Sequence, residues 1–179
     1  AFPSVENSVK KPSATFRNNA YATSVLLEWA KKRNVRRLIF SSSAAAAAAA
    51  SPYGLHKLIS EKECQLYSKL YGLDTVSLRY FNVYSEDQVY GDSYSTAISA
   101  WMEMIRRDAP LRIDGDGEQT RDFVHVQDIV SSNIFCMNHK SDFRGNVLDV
   151  ATGTPYSLNF IKQIVNKNYD VSWEYGPSR

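Results

Sequence analysis

The chain has 179 residues, 44% hydrophobic and 22% charged, with a formal net charge of +2. That is enough material for a core, and too little charge to argue for nucleic acid or an anionic membrane as a partner. The longest apolar run is a string of alanines too short to span a bilayer, and no secretory leader stands out, so the expected location is cytoplasmic. Cys64 and Cys136 lie far apart and in no metal-ligand spacing with His56, His125 or His139, which points to buried free thiols and no metal.

Taken in order, Ala1 to Lys11 contains no Gly-x-x-Gly-x-x-Gly, and neither does any later segment. From Pro12 to Arg33, Phe16, Ala20, Thr23, Leu26, Leu27 and Ala30 recur at helical spacing, and Lys31, Lys32 and Arg33 fill the last turn. The pattern predicts one amphipathic helix lying on a sheet. Arg36 to Phe40 reads as a short buried strand running into Ser41, Ser42 and Ser43, which places hydroxyls at a strand's carboxyl end. The seven alanines Ala44 to Ala50 read as a loop in which alanine stands for other residues; the alternative is a short helix favoured by alanine's propensity. Next, Ser51 suits an N-cap and Pro52 the first helical position, so Tyr53 falls in the first turn and Lys57 one turn later on the same face. An ammonium then stands beside a phenol. A tyrosine titrates near ~10 in water, and both a neighbouring cation and a helix amino terminus favour its phenolate, which could act as a general base. This helix should run to about Leu70, with Gly72 as its stop.

Thr75 to Tyr80 predicts a strand, a parallel neighbour of the first, leading into Phe81-Asn82-Val83-Tyr84. A helix is expected over roughly Tyr94 to Arg107, with Ile98, Trp101, Met102 and Ile105 facing the core. Pro110 to Val126 reads as two short strands joined by a tight turn; its Asp/Gly cluster lacks the ligand pattern of a calcium loop. Within it, Arg121 offers the planar bidentate geometry that suits phosphate. Asp128 to Met137 should be a helix and Gly145 to Val150 a strand. Gly153 to Leu158 should cap a last helix, with Phe160, Ile161, Ile164 and Val165 inward.

Several of these stretches together resemble one family. Ser-Ser-Ser after a strand, then Tyr53-x-x-x-Lys57, then Leu78-Arg79-Tyr80-Phe81-Asn82-Val83-Tyr84, and finally Gly115-x-Gly117-x-Gln119-x-Arg121-Asp122-Phe123-x-x-Val126 are similar to the extended short-chain dehydrogenase/reductases, in particular their nucleotide-sugar epimerases such as the UDP-glucose 4-epimerases. Asn18 to Thr23 resembles the family's Asn-x-x-Gly-Thr, with Ala22 in place of the glycine. The resemblance implies an α/β fold: a doubly wound parallel Rossmann-type sheet whose first third lies outside this sequence, because the glycine-rich turn and ribose-binding acid are absent. It assigns 1–84 to that domain, and 85–179 mainly to a smaller carboxyl-terminal α/β lobe that binds the nucleotide sugar, with segments returning to the first. The elements from Asp128 to Val165 look like that lobe.

The same resemblance implies roles. Tyr53, Lys57 and Ser43 would be catalytic; Asn19, Ser41, Ser43, Tyr53, Lys57 and Phe81 would hold NAD; Ser43, Asn82, Ile113, Arg121 and Arg179 would bind the substrate, a UDP-sugar. Where the family commonly continues with Gly-Pro-Arg, Ser85-Glu86-Asp87 stands instead. The implied reaction is epimerisation, at C4 of a UDP-hexose, through a transient keto sugar with no net redox. One alternative is a 4,6-dehydratase, whose Asp-Glu pair after the strand is replaced here by Ala44 and Ala45. Another is a non-catalytic nucleotide-sugar-binding relative, against which the full Ser43, Tyr53 and Lys57 set argues. A homodimer is implied, through the helices Asn19 to Arg33 and Pro52 to Leu70, whose apolar residues include Trp29 and Tyr67.

Overall fold

A computed structural model describes residues 1–88 and 96–178. In chain order the elements are α1 (Val5–Lys10), α2 (Pro12–Phe16), a π-helical turn (Arg17–Tyr21), α3 (Ala22–Lys32), β1 (Arg37–Ser43), α4 (Ala45–Ala48), α5 (Pro52–Tyr71), β2 (Asp74–Tyr80) and β3 (Asn82–Tyr84). They continue with α6 (Ala97–Arg106), β4 (Leu111–Asp114), β5 (Thr120–His125), α7 (Val126–Asn138), β6 (Asn146–Val150), β7 (Pro155–Ser157), α8 (Leu158–Asn168) and β8 (Trp173–Gly176). The start expected at Tyr94 lies outside the described residues.

The chain forms two units, one of Ala1–Phe81 with Gln127–Val150, the other of Asn82–Val126 with Ala151–Arg179. The expectation that α7 and β6 belong to the smaller lobe is therefore not met. In the first unit, β2 is the middle strand of a parallel sheet ordered β1-β2-β6, with Arg37 opposite Asp74, Ser42 opposite Arg79, and Ser43 opposite Tyr80. Its side chains alternate between two cores, as a strand buried on both faces requires. Val76 and Leu78 meet Cys136 and Phe143 on one side; on the other, Leu38 and Phe40 of β1 join Leu27, Ala30, Cys64 and Leu73. Helices on both faces of a parallel sheet are the α/β architecture that the sequence implied. Both thiols are free and buried, and burial pushes Cys64 up to about 12.

At the amino ends of these strands Arg37 and Asp74 form a buried ion pair. Arg37 also donates to the carbonyls of Cys136, His139 and Ser141, while Asp74 Oδ1 accepts the Phe143 and Arg144 amides at 2.8 and 3.0 Å. The pair thus ties the segment after α7 to the sheet edge.

The single helix expected over 12–33 is broken by the π turn. Ala20 in that turn and Thr23, Leu27 and Ala30 beyond it are buried, while Phe16 before it and Leu26 after it are exposed. Of the alanine run, Ala45–Ala48 are helical, where a loop was expected.

In the second unit β5 pairs with β3 in parallel and with β7 antiparallel, and β4 pairs with β8. The two short strands expected in the 110–126 stretch are both present, joined across 115–119, and each takes its partners elsewhere. Trp101, Leu111, Ile113 and Leu158 form the core, with Ile161, Val165 and Trp173 against it. Phe160 and Ile164, expected inward, are exposed because Ser157 caps α8 and sets Leu158, Ile161 and Val165 on the inner stripe. Similarly Met102 is exposed, and Met104 takes a place on the inner side of α6. No described helix is long and apolar enough to cross a membrane.

Candidate functional site

The side chains expected to be catalytic lie at the carboxyl end of β1 and the amino end of α5. Ser51 accepts the Gly54 amide at 3.1 Å and Pro52 occupies the first turn, as the sequence predicted. The Tyr53 amide donates to Ser8 Oγ of α1 at 3.1 Å, a second tie on the helix start. Gly54 is required for space, since a Cβ there would run into the Ala45 carbonyl oxygen. At the far end Gly72, with φ of 69°, closes the helix in the left-handed conformation.

Tyr53 and Lys57 are both buried, at 7% and 6% exposure, on the sheet-facing stripe of α5. Lys57 Nζ donates to the Ser41 carbonyl at 2.6 Å and lies 4.9 Å from the Phe40 ring centroid and 5.9 Å from that of Tyr53. Burial pulls Lys57 down to about 8, opposed by the negative charge of Glu61. An ammonium has three N–H donors, and one is used by Ser41; the other two directions suit hydroxyl oxygens of a ligand.

Two further hydroxyls stand at the same strand end. Ser43 Oγ accepts the Ala45 amide at 3.3 Å, and Ser41 Oγ lies 3.2 Å from Tyr80 OH, itself bonded to Asn133 of α7. Asn19, in the π turn, is buried and commits its side-chain amide to the Phe2 backbone, Oδ1 to the amide at 2.6 Å and Nδ2 to the carbonyl at 3.0 Å. Its side chain therefore anchors the amino-terminal segment. Phe81 is half-buried, and its amide donates to the Val150 carbonyl.

The remaining expected site residues belong to the second unit. Arg121 on β5 is exposed, its guanidinium touching only the neighbouring Thr120 carbonyl among the hydrogen bonds described, so its fork is presented to solvent. Asn82 on β3 donates to the Asp122 carbonyl at 3.0 Å, which fixes it beside the Arg121 strand. Ile113 is 1% exposed within the core, so only its backbone could meet a ligand. Arg179 lies outside the described residues.

Sequence reasoning missed two supports. Asp122 accepts the Thr152 amide and hydroxyl, both at 2.9 Å, and the Gly153 amide at 2.7 Å, holding the loop after β6. Burial alone would raise its carboxyl, yet these bonds outweigh it and hold it below the usual carboxylate range. Glu61, one turn beyond Lys57, is 1% exposed and pairs with Arg79 of β2 at 2.8 Å. The repeat Tyr53, Lys57, Glu61 at four-residue spacing was the available signal for it.

Comparison with known proteins places these features in context. The model of the NAD dependent epimerase/dehydratase family matches residues 1–151. A UDP-N-acetylglucosamine 4-epimerase from Methanobrevibacter ruminantium, solved with UDP-N-acetylmuramic acid, is 31% identical with a TM-score of 0.94, over 100% of this chain and 62% of that one. The UDP-glucose 4-epimerase of Thermotoga maritima with UDP-glucose is 30% identical with a TM-score of 0.85, over 100% of this chain and 62% of that one. A UDP-glucuronic acid 4-epimerase from Bacillus cereus, solved with UDP-glucuronic acid and NAD, is 27% identical with a TM-score of 0.81, over 90% of this chain and 55% of that one. The chain thus spans less than two thirds of the length of these relatives.

Proposed function

The chain belongs to the NAD dependent epimerase/dehydratase family, and from that premise we propose that the complete protein is an NAD-dependent UDP-sugar epimerase acting at C4 of a UDP-hexose. The observation that carries the reading is the buried Lys57 ammonium, held on the Ser41 carbonyl one turn from Tyr53 at the carboxyl edge of a parallel sheet. The three neighbours described above are UDP-sugar 4-epimerases, and support the same substrate class.

The residues present fit the nicotinamide-ribose end of NAD. Lys57 has donors to spare for ribose hydroxyls, with Tyr53 beside it and Ser41 and Ser43 at the strand end. No glycine-rich cradle for the pyrophosphate occurs in this sequence. When bound, NAD supplies a hydride acceptor that returns what it takes, so the reaction has no net redox change. Tyr53, as phenolate, accepts the proton from the sugar's 4-hydroxyl and later returns it. The Lys57 charge favours that phenolate, and more strongly for being desolvated. Ser43 supplies a hydroxyl to orient the reacting oxygen. In the second unit, Arg121 takes the diphosphate through its exposed guanidinium and Asn82 a sugar or phosphate oxygen.

The proposal extends to a homodimer. Leu26, Trp29, Leu66 and Leu70 on α3 and α5 are each more than half exposed, an apolar surface that a second copy would cover. It also places the enzyme in the cytoplasm, with its charged substrate and cofactor. The test is direct: the complete protein, incubated with UDP-glucose or UDP-N-acetylglucosamine, should interconvert the C4 epimers without net consumption of NAD. Failure to convert any UDP-hexose, with NAD bound, would overturn the reading.

A further inference from the structure

We propose that Glu61 is a positioning residue for Tyr53 and Lys57, fixing α5 against the carboxyl ends of β1 and β2; the inference rests on the epimerase reading above. Its carboxylate accepts three hydrogen bonds, from Ser42 Oγ at 2.5 Å and Arg79 Nε at 2.9 Å on Oε1, and from Arg79 Nη2 at 2.8 Å on Oε2. Ser42 and Arg79 stand opposite each other in the sheet, so one side chain of α5 grips two adjacent strands at a single rung. Ser41, the next residue of β1, supplies the carbonyl that holds Lys57. Two ties one helical turn apart, Glu61 to that rung and Lys57 to Ser41, set both the height and the rotation of the helix. Tyr53, one turn further along the same stripe, inherits that placement.

Stability alone gives little reason for a carboxylate here. At 1% exposure its desolvation is costly even when fully bonded, and a well-packed apolar side chain would anchor α5 as firmly. What the carboxylate adds is directional attachment and a negative charge within reach of the Lys57 ammonium. Among the other charged side chains around α5, Glu63 of α5 itself accepts the Ser24 hydroxyl. Arg37 pairs with Asp74 at the strands' amino ends, Lys10 of α1 with Glu6, and Lys31 and Lys32 of α3 with Glu28, while Asp149 of β6 acts on Arg79. On α5 itself the Tyr53 ring centroid lies 5.9 Å from Lys57 Nζ, and burial lowers His56, which disfavours its cation.

The experiment uses the complete protein with Glu61→Gln, Glu61→Asp and Ser42→Ala. Glu61→Gln should lower kcat by about ten- to a hundredfold, the scale of a small misplacement of reacting groups, with KM changed less than about threefold. The alkaline limb of its kcat profile should move to lower pH, because Lys57 loses the charge that helps keep its proton. Glu61→Asp should restore that limb but not kcat, since it keeps the charge and shortens the reach. Ser42→Ala, which deletes one hydroxyl, should give a smaller loss of kcat in a folded protein, and decides the matter if Glu61→Gln does not fold. A kcat per folded molecule within twofold of the parent and an unmoved pH profile would reduce Glu61 to a stability role and overturn the proposal, whatever the thermal midpoint does. A parent inactive on every UDP-hexose would overturn the epimerase reading and this role with it; an active parent with unchanged variants overturns this role alone.

Discussion

Asp74→Asn separates the scaffold from the chemistry. The substitution keeps the shape of the side chain and one acceptor for the Phe143 and Arg144 amides, but leaves the Arg37 guanidinium, 5% exposed, without its counter-charge. Breaking one side of a buried ion pair costs roughly 3–5 kcal/mol. Here Arg37 keeps the carbonyls of Cys136, His139 and Ser141, so the guanidinium stays hydrogen-bonded and the lower figure, about 3 kcal/mol, applies. In a domain of this class that corresponds to a fall of roughly 6–12 °C in the thermal midpoint. Turnover should not change, because the pair sits at the amino ends of β1 and β2, about 20 Å along the strand from Ser43 at ~3.3 Å a residue. Thermal unfolding of the complete protein, with epimerase activity measured below the transition, tests both halves. A midpoint within about 2 °C of the parent would refute the burial argument, and lost turnover in a fully folded variant would refute the separation of scaffold from site.

The site residues give three further outcomes. Lys57 has a folded pKa of about 8 against an ordinary 10.5, so between these values the unfolded chain binds more protons and the parent gains stability as pH rises. Below pH 8 the buried charge costs up to about 3 kcal/mol, so Lys57→Met should lose turnover yet resist urea better at pH 7, without the alkaline gain; a variant less stable than the parent at pH 7 would contradict this. Asp122 is held below the usual range, so its contribution is present at neutral pH and is lost as pH falls below about 4; Asp122→Asn should flatten that acid loss in a urea series, and an unchanged acid slope would count against it. Arg121→Ala should weaken UDP-sugar binding by roughly 1.5–3 kcal/mol, a charge-assisted bond lost, with kcat little altered; isothermal titration with UDP showing no change would remove Arg121 from the substrate contacts.

Where a local rule decides a local structure, the sequence was sufficient. Ser51, Pro52 and Gly72 mark α5 because cap chemistry and left-handed glycine act within a turn. The parallel pairing of β1 and β2 followed from a strand, a helix and a strand in succession. The π turn was not legible, because helical periodicity averages over a single inserted residue, and Phe16 and Leu26, on the expected inward stripe, are exposed. Nor were β7 and β8, three and four residues long, whose partners lie distant in sequence. Tyr53 and Lys57 could be placed on one stripe from the sequence because their spacing is local. Glu61 and Asp122 were missed because their importance lies in partners on other elements, Ser42 with Arg79, and the Thr152 loop.

Whether Tyr53 is the base of a UDP-sugar epimerase is decided by steady-state C4 epimerisation of a UDP-hexose by the complete protein and its Tyr53→Phe variant. In Tyr53→Phe kcat should fall by about two to four orders of magnitude, the contribution of a positioned general base, with KM nearly unchanged because Arg121 and Asn82 hold the nucleotide end. Turnover in Tyr53→Phe within about a factor of two of the parent would contradict it.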